Sequence, residues 1–159
     1  MATTSTVPTP TSSRPDYRRF SYWLETAGDL TPRPRLDRSI AADVAILGAG
    51  FTGLWTAYAL LEREPSLRVV VLEAEIAGFG ASGRNGGWCY PGFPVTSSVL
   101  RERFGAPAAK AVAAAMHGAV DDIARVVAAE GIDCGFLMSG ALRVARGRWQ
   151  LPAIEGAYR

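Results

Sequence analysis

Among all features of this 159-residue chain, the stretch Gly48-Ala-Gly50-Phe-Thr-Gly53 does most to limit the fold. A strand-like run, 43–47, leads into it, and a helix-forming pattern, 53–64, leads out. Three glycines at that junction suit a chain whose backbone must touch a pyrophosphate. Gly48 permits the tight turn out of the strand, and Gly50 lets two linked phosphates approach without a Cβ in the way. Gly53, with Ala57 one turn later, lets the helix lie close on the strand. The N–H groups of Phe51 and Thr52 fall at the positive end of the helix, where an anion is favoured.

The flanking sequence agrees with that reading. Leu54, Ala57, Tyr58 and Leu61 recur at helical spacing and predict one apolar stripe, ended by Pro65 and Ser66. The β-branched run 67–73 predicts a second strand, so 43–73 is a βαβ unit of about the usual 30 residues. Both runs are apolar enough to be covered on both faces of a parallel sheet. Glu73 stands 20 residues beyond Gly53, at the carboxyl end of the second strand. A carboxylate there accepts both hydroxyls of an adenosine ribose and repels a 2′-phosphate, which disfavours NADP. Glu75 points the same way by alternation but lies past the strand end, so Glu73 is the expected ribose ligand.

A second glycine-rich stretch, Gly78-Phe-Gly80-Ala-Ser-Gly83-Arg-Asn-Gly86-Gly87, follows at once. Ser82, Arg84 and Asn85 place a hydroxyl, a guanidinium and an amide between its glycines, a set suited to wrapping an anion or a flat polar ring. Taken together, DVAILGAGFTGLWTAYAL, VVVLEAE and GFGASGRNGG resemble the FAD-dependent amine and amino-acid oxidoreductases of the D-amino-acid oxidase superfamily. The closest likeness is to the gamma-glutamylputrescine oxidase branch, over residues from about 20 to 145.

The resemblance implies an α/β fold: a Rossmann-like FAD-binding unit with a parallel sheet, here incomplete, leading into a second domain that covers the flavin. By position, Gly48, Gly50, Phe51, Thr52 and Gly53 would line the pyrophosphate and Glu73 would hold the ribose. Ala81 and Ser82 would lie against the diphosphate, while Arg84, Asn85 and Gly86 would run toward the flavin ring. Some relatives attach the flavin through a histidine in this loop; none occurs here, which implies non-covalent FAD. The implied reaction is oxidation of a C–N bond in a small amine or amino acid, by hydride transfer to the flavin. No residue offers itself as the catalytic base or amine-binding group. An NAD-dependent dehydrogenase would share the first motif but leave 78–87 unexplained, and a non-catalytic nucleotide-binding fragment is the other alternative.

Around this core the sequence predicts a disordered Thr/Ser/Pro-rich tail over 1–19, then a short helix and extended connector over 20–41. The FAD-binding core occupies 42–92, and 93–159 reads as a helical segment and the start of a substrate domain. In that part a short helix closes at Gly105 and a longer one runs from Pro107 to about Glu130, with Val112, Met116, Val120, Ile123 and Val127 as its stripe. Residues 136–146 read as a strand, or as two meeting at Gly140. The chain stops with no closing strand, as the front part of a longer protein would.

Composition excludes other classes. Lys and Arg number 17 against 15 Asp and Glu, a net +2 too even for nucleic acid or an anionic membrane surface. No run nears the roughly 20 apolar residues that span a bilayer. Two cysteines with no metal spacing fit a reducing, cytoplasmic setting; Cys89 reads as a small packed thiol. His117 reads as an exposed partner of Asp121, Asp121-Asp122 as a solvated face, and Arg143, Arg146 and Arg148 as surface. Trp88 and Tyr90 either flank the flavin or plug a domain boundary. Oligomeric state is not legible.

Overall fold

The computed structural model describes residues 15–156. The chain divides into two compact units, one ending at Gly87 and the other beginning at Trp88. Most of the tail expected over 1–19 lies outside the described residues. Its last part is ordered: the Asp16 carboxylate accepts from the Arg18 N–H and starts a 3-10 turn, Tyr17–Phe20, in which Tyr17 is buried.

In the first unit that turn leads into helix α1, Tyr22–Thr26, capped by the Ser21 hydroxyl on the Leu24 N–H. Strand β1 (Val44–Leu47), helix α2 (Phe51–Arg63) and strand β2 (Val69–Leu72) then form the expected βαβ unit. The strands pair in parallel with Val44 opposite Val69 and Leu47 opposite Leu72. Asp43 fixes where the ladder starts. Its carboxylate takes the Arg68 N–H at 2.8 Å and the Arg68 guanidinium at 3.0 and 2.8 Å. These bonds hold the Asp43 carboxyl at about 2, below its ordinary 3.8.

Helix α2 lies on one face of this sheet, and coverage is one-sided among the described residues. Val44 and Ile46 are half-buried, whereas Ala45 and Leu47 on the opposite face are exposed, Leu47 at 82%. The two-sided cover expected from the apolar pattern is therefore not found for β1, because no described element packs on its outer face. The helix stripe also differs from expectation. Gly53 is buried and Ala57 half-buried, as close packing on the strands requires, but Leu54 and Leu61 lie at the stripe's edge and are exposed. A buried apolar cluster instead joins Tyr17, Leu24 and Ile76, with Leu30 and Phe79 packed against it. It ties the segment before the βαβ unit to the loop after it.

The second unit is led by helix α3, Ser97–Ala129, which is broken at Gly105 (φ 84°, ψ 164°). The two expected helices are thus present end to end, separated by that glycine and restarted at Pro107. The expected stripe from Val112 to Val127 is half-buried at all five positions. The helix stops as Gly131 predicts: the Gly131 and Ile132 N–H groups bond back to Ala128 and Val127 carbonyls at 3.4 and 2.9 Å, a Schellman ending. A short helix α4, Leu151–Gly156, follows. Residues 136–146 form no strand, contrary to the sequence expectation. A strand is held by its ladder, and no described segment pairs with this one, so Leu137, Leu142 and Val144 stand exposed on irregular backbone. Cys89 and Cys134 are exposed; the packed environment expected for Cys89 is missing because residues 88–94 run without an apolar layer over them.

Candidate functional site

The site is built where β1 ends, α2 begins and β2 ends. Gly48 takes a positive φ of 97°, open to glycine at no steric cost, and turns the chain sharply while its N–H still bonds the Leu72 carbonyl at 2.7 Å. At Gly53 the helix approaches the turn so closely that a Cβ would collide with the Gly48 carbonyl and stand 3.3 Å from Ile46 Cγ2. Gly50 is the N-cap and brings no side-chain cap of its own. The Leu54 N–H is the first to bond back into the helix, to the Gly50 carbonyl at 3.0 Å. The N–H groups of Phe51, Thr52 and Gly53 therefore precede the helical ladder and carry its positive end.

The second glycine motif folds onto this end. The Gly78 N–H bonds the Ala49 carbonyl at 2.8 Å, and the Ser82 hydroxyl accepts the Phe51 N–H at 2.8 Å. A Cβ on Gly50 would sit 3.0 Å from that hydroxyl. Two motifs some thirty residues apart thus share one backbone hollow, with Ser82 as the side chain over it. Ala81 opens the 3-10 turn, Ala81–Gly83, that presents Ser82.

Glu73 stands beside the hollow just past β2. Its Oε2 accepts the Ala49 N–H at 2.8 Å and its Oε1 accepts the Glu75 N–H at 3.1 Å. Those N–H donors, Ala49 first, pull its carboxyl below the ordinary 4.5 and keep it ionised at neutral pH. An ionised carboxylate has about four acceptor positions; the turn's N–H groups do not fill them all, and the exposed side chain offers the rest to hydroxyls. Glu75 goes elsewhere, accepting the Tyr17 hydroxyl at 2.7 Å.

Arg84 and Asn85, expected to run toward the ring of a bound flavin, are engaged within the loop. The Arg84 guanidinium lies 5.1 Å from the Phe20 ring centroid and 4.7 Å from that of Phe79, and its Nε donates to the Phe79 carbonyl at 2.9 Å. The Asn85 amide donates to the Ser82 carbonyl at 2.6 Å and accepts the Gly87 N–H at 2.7 Å. Gly86 between them is exposed.

The contacts that sequence reasoning passed over come from the 3-10 turn and from α1. Tyr17, Phe20 and Trp23 all reach the 73–87 region. The available signal was four aromatics within seven residues, Tyr17 to Trp23, immediately upstream of a nucleotide motif. In the second unit, Arg143 donates to the Tyr90 hydroxyl at 2.7 Å, His117 is exposed, and Asp122 pairs with Arg125 at 3.6 Å. Among the described residues no His, Cys, Asp or Glu cluster could hold a metal, and no helix is long and apolar enough to cross a membrane.

The hollow fits a dinucleotide: a helix start whose N-cap residue brings no side chain, Gly50 bare beside Ser82, and an ionised acid at the second strand's end. Comparison with known proteins agrees. Residues 43–159 match the family described as FAD dependent oxidoreductase. The chain is 36% identical over 135 residues to gamma-glutamylputrescine oxidoreductase of Escherichia coli (strain K12), covering 85% of this chain and 31% of that protein. It is 42% identical over 73 residues to "Probable oxidoreductase OrdL" of Haemophilus influenzae, covering 46% of this chain and 16% of that one. The chain thus spans less than a third of the length of these curated relatives. No solved structure matches it.

Proposed function

Because the chain belongs to the FAD dependent oxidoreductase family, we propose that residues 43–87 bind FAD non-covalently in an enzyme that oxidises the C–N bond of an amine or amino acid. The observation that carries this reading is the convergence of Glu73, the α2 N-terminus and the 78–87 loop on one hollow. The amine half of the proposal is supported by the likeness to gamma-glutamylputrescine oxidoreductase. FAD would supply the hydride acceptor. This chain's residues supply its seat. Gly48, Gly50 and Gly53 keep the backbone bare; the Thr52 N–H faces the diphosphate, and the Phe51 N–H holds the Ser82 hydroxyl beside it. Ala81 and Ser82 close over it. Glu73 gives its remaining lone pairs to the ribose hydroxyls, a role its negative charge would deny to a 2′-phosphate. Arg84 and Asn85 act by keeping the loop in shape, with Gly86 as its bare outer face.

The test uses the full-length protein that carries this chain. It should purify with a flavin spectrum, and after deflavination it should rebind FAD in preference to NADH. Glu73→Gln should weaken FAD roughly 10- to 100-fold, as losing a charged hydrogen-bond partner of ~1.5–3 kcal/mol implies. Glu75→Gln should weaken FAD far less than Glu73→Gln, because the Glu75 carboxylate is turned to the Tyr17 hydroxyl instead. A colourless protein that takes up no FAD refutes the reading, and equal effects of the two variants refute the choice of ribose ligand.

A further inference from the structure

We propose that residues 17–24, which lie ahead of the family match beginning at residue 43, form a clamp that pre-orders the 78–87 loop for FAD, with Trp23 as its positioning residue. The inference rests on the FAD reading above and adds to it a part of the chain that the family match leaves out.

The clamp grips the loop at Phe79, Arg84, Asn85 and Gly87. Trp23 Nε1 donates to the Asn85 carbonyl at 2.7 Å. Asn85 in turn ties the Ser82 carbonyl to the Gly87 N–H, and Ser82 bonds the Phe51 N–H at the start of α2. One continuous series of hydrogen bonds therefore runs from the indole to the proposed diphosphate seat. The same indole lies against the chain at Gly87, where a Cβ would come within 2.5 and 2.8 Å of the ring. Gly87 also holds a φ of 73°, so both the space and the conformation call for glycine there. Earlier in the loop, Phe20 meets Phe79 edge-on at 5.4 Å, and Arg84 lies over both rings. Tyr17 meets Phe79 at 5.7 Å and bonds Glu75, two residues from the ribose acid.

The clamp is itself stiff. The Arg18 guanidinium binds the Glu25, Ala27 and Gly28 carbonyls at 2.8, 2.8 and 2.7 Å, closing the end of α1. Leu24 is buried against Ile76 in the same cluster as Tyr17. The purpose follows from the loop's composition. Five glycines in ten residues lose more backbone freedom on ordering than any other residues would. A loop ordered before the cofactor arrives leaves that loss out of the binding step, which tightens binding.

The experiment compares wild-type, Trp23→Phe and Trp23→Ala in the full-length protein. Two quantities are read: FAD dissociation constants on the deflavinated protein, and amide hydrogen exchange over 82–87 without FAD. Trp23→Phe keeps the ring and removes only the N–H donor. It should weaken FAD roughly two- to tenfold, the worth of one neutral hydrogen bond, and speed exchange at 82–87 while α2 amides stay protected. Trp23→Ala should exceed both effects. Wild-type FAD affinity and exchange in both variants overturn the clamp while leaving the FAD reading standing. Faster exchange with unchanged FAD affinity refutes its role in cofactor binding. Failure of the wild-type protein to bind FAD removes both proposals together. Should Trp23→Ala not fold, Trp23→Phe alone decides.

Discussion

At the scale of single residues, the two acids that open and close the βαβ unit are held in their charged forms by different sets of partners. Asp43 is held by the guanidinium and the backbone N–H of Arg68, and Glu73 by backbone N–H groups alone. Both have folded-state values below their ordinary ones. A depressed carboxylate adds stability that is fully present above the ordinary value and is lost as pH falls through the folded value. For Asp43 that window runs from about 4 down to about 2. Asp43→Asn should therefore melt below wild type at pH 6, and the gap should close steadily between pH 4 and pH 2. Thermal melts across that range check it. A gap that stays constant to pH 2 would mean that the Asp43–Arg68 pair contributes through packing rather than charge. The pair is exposed, so the difference at pH 6 should be small and should shrink in high salt.

At the scale of elements, the decisive contact is that of α2 on the turn below it. Adding a methyl at Gly53 would drive the helix off the Gly48 carbonyl and Ile46. Gly53→Ala should cost about 1–3 kcal/mol of stability through overpacking, measured by urea unfolding, whereas Thr52→Ala at the exposed neighbouring position should cost well under that. Equal losses would place the defect in helix initiation instead. This junction was legible from sequence because glycine spacing, strand, helix and acid all report one local geometry. The break at Gly105 and the stop at Gly131 were legible for the same reason: a glycine's place is written in neighbouring residues. Residues 136–146 were not. Their apolar pattern states what the strand would bury, but not whether a partner edge is within reach. The engagement of Trp23 with Asn85 was equally hidden, since 62 residues separate them and no periodicity connects a short aromatic helix to a distant glycine loop.

At the scale of the whole molecule, apolar surface and unpaired sheet edges set the expected behaviour of the 159 residues by themselves. Leu47, Trp88, Leu137, Leu142, Val144 and Trp149 are each at least 75% exposed. Fully burying such a side chain is worth roughly 1.5–3 kcal/mol, so each favours any contact that covers it. The β1–β2 sheet leaves the outer edge of both strands without a described partner, and a lone two-stranded sheet is marginal unless further strands or a helix support it. Here α2 covers one face only. An open parallel edge beside an uncovered apolar face is a template for another chain. Expressed alone, the 159 residues should therefore self-associate. Their elution should shift toward larger species as concentration rises, their scattering mass should exceed 16.9 kDa, and they should bind an apolar dye. FAD should reduce dye binding only slightly, because its proposed seat lies at the carboxyl ends of the strands and leaves the outer face of β1 bare. A monomer that melts in one sharp transition and ignores the dye would show that these surfaces find cover within the 159 residues.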